Sequence, residues 1–393
     1  MKNVVVLVID RWGAGWMGAY GNTWVETPEI NRLAAQSLLI DFVVADSPYL
    51  EDTYRAWWSG RHSTSTRTQP PGASWCERFD ESVLVTDDDT VAVLGDYAGF
   101  NDVLTLADDS NSRTVEHPED IRLANVLANG LDCLSRLNEP FCLWMHASGM
   151  QSDWDAPYEM RERMVDDEDP PPPQQITPLA WEGQRDPDEL LGALAAYGGQ
   201  VAAVDWCLGA FCDVFLASPL AATTRLIVTS PRGFALGEHD GVGPRDDLFG
   251  EVLHIPLLVR PADEEHGGAL RGGQRRSWLT QPHHLERFAL ESFDSLIRCD
   301  DLSPPAWLDS TIAVAHSDSH RAIRTPAWFM TQRDDEPARL FRKPDDRWEA
   351  NEISDRCQDV VEQLAVLQES AEQALRDSRP LPKLSPLLAE GLE

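Results

Sequence analysis

A chain of 393 residues with 42% hydrophobic content has room for one large α/β domain, or a large domain with a smaller companion, and for a real core. Its formal net charge of -33 argues against nucleic acid and anionic membranes as partners, because the summed field repels polyanions. Seven cysteines (Cys76, Cys133, Cys142, Cys207, Cys212, Cys299 and Cys357) show no CxxC spacing, which disfavours a metal knuckle or a disulfide framework and favours buried thiols.

The first predicted element is the apolar run Val4 to Ile9, a strand buried on both faces, with Asp10 at its carboxyl end where open α/β sheets place ligands. Because the chain enters this strand at once, without a leader-like segment, a cytoplasmic location is expected. Thr27 and Pro28 read as the N-cap and first residue of a helix carrying Ile30, Leu33 and Ala34 on one face, leading to a strand over Leu38 to Val44. Val91 to Leu94 and Val103 to Leu106 are read as short strands, Asp120 to Leu137 as an amphipathic helix, and Phe141 to Met145 as another buried strand. Met164 to Asp188, with its acidic run and four consecutive prolines, is an excursion from the core. Leu190 to Leu216 resumes helical spacing, and no run is expected to reach the length of a membrane span. Arg225 to Thr229 and Ile255 to Val259 are further strands. The alternation predicts an α/β fold with a mostly parallel central sheet and helices on both faces over residues 1–305. Residues 306–393 are expected to form a small C-terminal α+β subdomain: strands over Trp307 to Val314, Ala322 to Arg324 and Trp328 to Gln332, a helix over Asp355 to Arg376, and a tail docked on the surface.

Several collinear blocks resemble the sulfatase branch of the alkaline phosphatase superfamily. Asn3 to Asp10 is similar to its first strand, Gly18 to Asn22 with Thr27 to Ala34 to its "GxYGN…TPNxDxLA" segment, and Thr229 to His239 to its "TSDHGxxLGEH" turn. His254 to Arg260 resembles its "RVPLIVR" strand, and Arg321 to Trp328 its "R-x-x-R-T-x-x-W" segment. Ser47 to Arg61 resembles the signature Cys (or Ser)-x-Pro-x-Arg with its following helix, in which the first residue matures to formylglycine. Anchored on Arg55 and Gly60-Arg61, this likeness puts Glu51 at the nucleophile position.

The resemblance implies a divalent cation held by two Asp after the first strand and by an Asp with Asn or His in the later turn, where hard oxygen ligands lower the nucleophile's pKa. Here the first pair is Asp10-Arg11 and the second is Pro231-Arg232, so three of four positions offer no ligand and Asp10 is left as a relic. The helper histidine falls near Gln151, and no lysine stands where the family binds sulfate. Guanidinium groups pair with carboxylates bidentately, so Arg11 and Arg232 are expected to replace the cation by pairing with Asp10 and Glu51. With Arg55 these five charges leave the pocket at net +1, suited to a small anion such as sulfate. Tyr54 or Trp58 would then fill the vacated cleft.

His239, Asp240, Asp246, Asp247 and His254 form the other group of metal-ligand types, at a spacing that matches no compact motif, and Ser230 and His316 belong to no readable triad. The reading favoured is a degenerate pseudoenzyme that binds a small anion or a protein partner, without a cofactor. The alternatives are an active sulfuric, phosphoric or phosphonic ester hydrolase with a rearranged centre using Ca²⁺ or Mg²⁺, and a non-catalytic subunit of an intact sulfatase or a homo-oligomer.

Overall fold

The computed structural model describes residues 3–67, 73–107, 114–176, 180–181, 186–266, 273–297 and 303–391. Cys299 and parts of the Met164 to Asp188 excursion lie outside them. The first strand, β1 (Asn3–Ile9), is buried at every position, as its unbroken aliphatic sequence requires. The other strands of the main sheet up to residue 229 are β2 (Leu38–Val44), β3 (Glu81–Thr86), β4 (Asp102–Thr105), β5 (Phe141–Ala147) and β6 (Thr224–Thr229). The strands Leu257–Arg260 and Gln274–Thr280 complete a sheet ordered Gln274–Thr280, β2, Leu257–Arg260, β6, β1, β5, β3, β4. Leu257–Arg260 runs antiparallel to both neighbours, and the remaining pairs in this order are parallel.

Register sets the site. Val8 lies opposite His146 on one side and Thr229 on the other, so the carboxyl ends of β1, β5 and β6 bring together Asp10, His146 and the turn Ser230 to Gly233. Apolar side chains of β1 divide between the two faces: Val5, Leu7 and Ile9 join one core, and Val4, Val6 and Val8 the other.

Several expectations need correction. Val91 to Leu94 belongs to the helix Asp89–Ala98, started by the Asp88 carboxylate, which accepts from the Val91 amide at 3.0 Å. The strand that precedes it is Glu81–Thr86. Thr27 stands at the N-cap of the helix Pro28–Ala34 as expected, but its side chain makes no cap bond: its hydroxyl accepts from the Gly18 amide, and the Asp205 carboxylate takes the Glu29 and Ile30 amides from across the fold. Pro256 divides Ile255 to Val259, because it has no amide to donate to the ladder. From Trp307 to Val314 only the end is extended, in the strand Ala313–His316.

The helix Pro187–Ala217 is long and apolar enough, by length and composition, to cross a membrane, against the expectation of no such run. Its packed side joins the core under β1, with Tyr197, Val201, Val204, Leu208 and Phe215 buried. A helix hydrophobic nearly all round is what a large core demands as much as a bilayer does. After residue 305 a four-stranded antiparallel sheet (Ala313–His316, His320–Arg324, Trp328–Arg333, Arg339–Arg342) carries the amphipathic helix Gln358–Arg376. The tail is tied down where Thr325 Oγ1 and Trp328 Nε1 donate to the Leu388 and Leu387 carbonyls, each at 2.8 Å.

Candidate functional site

Asp10 is fully buried at the end of β1. Its Oδ1 accepts from the Arg11 amide at 2.8 Å and from Arg232 Nε at 3.0 Å, and its Oδ2 accepts from Arg232 Nη2 at 2.8 Å. This fork-to-fork pair is the strong form of a charge-assisted hydrogen bond. Burial opposes ionisation of the Asp10 carboxyl, but the adjoining Arg232 guanidinium outweighs it and holds the group below the usual carboxylate range. The third Arg232 nitrogen, Nη1, donates to the Pro48 carbonyl at 2.9 Å, so this arginine ties β1 to the loop before the signature helix.

Local sequence makes this possible. The Ser230 hydroxyl donates to the Arg232 carbonyl at 2.7 Å and accepts from the Trp12 amide at 3.2 Å, fixing the turn after β6 against the turn after β1. Gly233 follows because a Cβ there would lie 2.0 Å from the Glu251 carbonyl oxygen. Gly149, at φ +52°, leaves no space either: its Cβ would lie 2.9 Å from the Asp10 carbonyl oxygen.

Arg11 adopts a left-handed φ of 57°, which turns it away from Asp10 toward Gln151. Its Nε donates to Gln151 Oε1, while Nη1 is buried without a hydrogen-bond partner. Burial and the neighbouring Arg232 charge lower the Arg11 pKa to about 9. The position expected for a helper histidine is thus an amide that accepts from an arginine.

Glu51 does not converge on this centre, contrary to expectation. It is exposed on the first turn of the helix Leu50–Ser59, and its carboxylate lies 3.7 Å from Arg55, one turn on. Neither Arg11 nor Arg232 reaches it. The charges at the centre are therefore Asp10, Arg11 and Arg232, net +1.

The same helix directs Tyr54 inward. Its ring is fully buried among Trp57, Trp58 and Trp144, at centroid distances of 5.1, 4.8 and 6.0 Å, and its hydroxyl meets His146 Nδ1 at 2.6 Å. Burial lowers the His146 pKa, and His146 Nε2 is buried without a partner. Trp58 packs on Phe100 at 5.2 Å and on Trp144 of β5 at 5.7 Å. Tyr54 and Trp58 therefore both pack between the signature helix and β5, and Tyr54 is the one whose hydroxyl reaches His146.

Asp10 offers one carboxylate whose two oxygens are taken by Arg232 and the Arg11 amide; Arg11, Pro231 and Arg232 supply no oxygen ligand. These residues do not fit a divalent cation. The second ligand-type group does not converge: His239 pairs with Glu251 at 2.9 Å, Asp247 with Arg245 and Arg333, and His254 Nε2 donates to the Asp41 carbonyl at 2.7 Å.

Sequence reading missed a group in which the buried Asp46 and His62 and the half-buried His283 place ligand-type atoms within 4.8 Å of one another. His62 Nδ1 accepts from the Thr64 amide, which leaves the proton on Nε2, 3.1 Å from the Val314 carbonyl. A neutral His62 has no lone pair left for an ion. The three residues come from the end of β2, a helix cap and the turn after Gln274–Thr280, so no spacing in the sequence connects them.

No family model matches the chain, and no curated protein matches it in sequence. Solved structures do. A phosphonate monoester hydrolase of Agrobacterium radiobacter superposes with a TM-score of 0.71 at 16% identity, covering 96% of each chain. A 2-O GAG sulfatase gives 0.69 at 15% identity over 98% of this chain and 96% of its own. A protein solved with its substrate D-glucosamine-2-N,6-O-disulfate gives 0.67 at 13% identity over 98% and 100%. At these identities the likeness is one of fold, and it extends over nearly the whole length: the chain has the sulfatase-like α/β fold that these structures share.

Proposed function

We propose that this sulfatase-fold protein does not hydrolyse esters but acts by binding. The observation that carries the reading is the buried bidentate pair of Arg232 with Asp10, which puts a fixed guanidinium on the carboxylate that a cation would need. Two further features support it. The signature helix offers Glu51, exposed and turned outward, at the position where the resemblance calls for a nucleophile. Tyr54 and Trp58 fill the space between that helix and β5. With Asp10, Arg11 and Arg232 all buried, the centre serves to hold strand ends together, and Arg11 Nη1 is the buried donor a small anion such as sulfate would draw on.

Equilibrium dialysis of the purified chain against Ca²⁺, Mg²⁺, Mn²⁺ and Zn²⁺ tests this reading. No stoichiometric uptake that depends on Asp10 is expected. One equivalent of ion that is lost in the Asp10→Asn variant would overturn it.

A further inference from the structure

A cavity of about 320 Å³, whose lining does not include Asp10, lies between β2, the stretch Gly13 to Tyr20 after β1 and the small C-terminal sheet. Its walls are aromatic: Phe42 from β2, Phe329 from the small sheet, and Trp16 and Trp348, the last 61% exposed at the rim. Four cations and four carboxylates also line it, and the carboxylates all have partners. Asp41 holds Arg275 at 2.6 Å and the Ser277 hydroxyl at 2.8 Å; Glu349 holds Lys343 at 2.8 Å and the Gly250 amide at 2.7 Å. Glu251 is paired with His239 at 2.9 Å, and Glu238 accepts from the Leu236 amide at 2.6 Å.

Arg324 is the cation left over. It is only 9% exposed, at the end of the strand His320–Arg324, and stacks 5.4 Å from the Phe42 ring. Among the described residues its guanidinium has no hydrogen-bond or ion-pair partner. The Glu349 carboxylate acts on it electrostatically but is already held by Lys343 and the Gly250 amide, so the Arg324 fork is left to stack on Phe42 and face the cavity. Arg347 stands nearby with one donor on the Tyr20 carbonyl at 2.7 Å and its guanidinium 4.9 Å from the Trp348 ring. Burial, and after it the charges of Arg347, Arg324 and Lys343, lower the His254 pKa to about 4; these three cations all line the cavity.

We infer that this cavity is a binding site for a small flat aromatic carboxylate, its anionic end on Arg324 and its ring between Phe42 and Trp348. A guanidinium fork matches a carboxylate in shape and charge, and the volume, at the lower end of small-molecule sites, suits one or two fused rings. The inference does not depend on whether the strand-end centre has lost hydrolysis, because none of Asp10, Arg11 or Arg232 lines the cavity.

Isothermal titration of the full chain with 2-naphthoate tests it. Saturable binding at one site is expected, weakened at least about tenfold by Arg324→Gln in a protein with an unchanged melting temperature, and weakened several-fold by Trp348→Leu. The uncharged analogue 2-naphthalenemethanol should bind wild-type protein at least about tenfold more weakly, a comparison that needs no folded variant. Absence of binding by wild-type protein, equal affinity of the acid and the alcohol, or equal affinity in a folded Arg324→Gln variant would overturn the inference.

Discussion

An arginine that claims both oxygens of a buried carboxylate is hard to remove from one side only. Arg232→Met should leave Asp10 charged and unpaired in a fully buried setting, at a cost of about 3–5 kcal/mol, read as a large fall in the denaturation midpoint. Glu51→Gln should change stability by less than about 0.5 kcal/mol, because the Glu51 carboxylate is exposed and stands 3.7 Å from Arg55, one helical turn on. The two measurements together separate a structural centre at Asp10 from a reactive one at Glu51. Equal effects would mean that Glu51 is engaged in the centre after all. The sequence carried the identities of Asp10, Arg11, Gln151 and Arg232, and with them the missing ligands. It did not carry the partners: Arg11 turns to Gln151 through a left-handed backbone that no residue type announces, and the outward direction of Glu51 follows from the helix phase that buries Tyr54.

At the level of elements, the turns that join the large sheet to the small one meet at His62, which caps the helix Ser63–Thr66 and is 2% exposed. Burial lowers its pKa to about 4, below the ordinary 6.5. The unfolded chain therefore binds a proton at His62 that the folded chain refuses between those values. Stability from this residue is complete above pH 6.5 and is lost as the pH falls toward 4. Asp46, whose carboxyl is pushed up to about 6 by burial, acts in the opposite direction over much of the same range. His62→Asn keeps an acceptor for the Thr64 amide but removes the titration. Its melting temperature should fall less than that of the wild type between about pH 7 and pH 5. A parallel fall in both proteins would show that His62 already bears its charge when folded. Elements were read well where apolar runs were long, as in β1 and β5. They were misread where a short run fits two periods: Val91 to Leu94 is apolar enough for a strand, yet Asp88 starts a helix there. The strand Gln274–Thr280 opens with Gln-Arg-Arg-Ser at a sheet edge, and such a polar stretch hides an edge strand from any reading of hydrophobicity.

For the molecule as a whole, the fold that sulfatases and a phosphonate monoester hydrolase share is matched over 96% or more of the chain, while Arg232 is paired with Asp10 at its strand ends. A fold hosts chemistry only through the residues grafted on it, and the same scaffold can present a binding surface once those residues change. The long apolar helix Pro187–Ala217 joins the core on one face of the sheet, and a second core packs the other face. The most direct test of the account is the turnover of p-nitrophenyl sulfate, phosphate and phenylphosphonate by the purified chain with Ca²⁺, Mg²⁺, Mn²⁺ or Zn²⁺ supplied. The account predicts a rate equal to that of buffer alone for every ester and ion; saturable turnover that disappears in Asp10→Asn would contradict it.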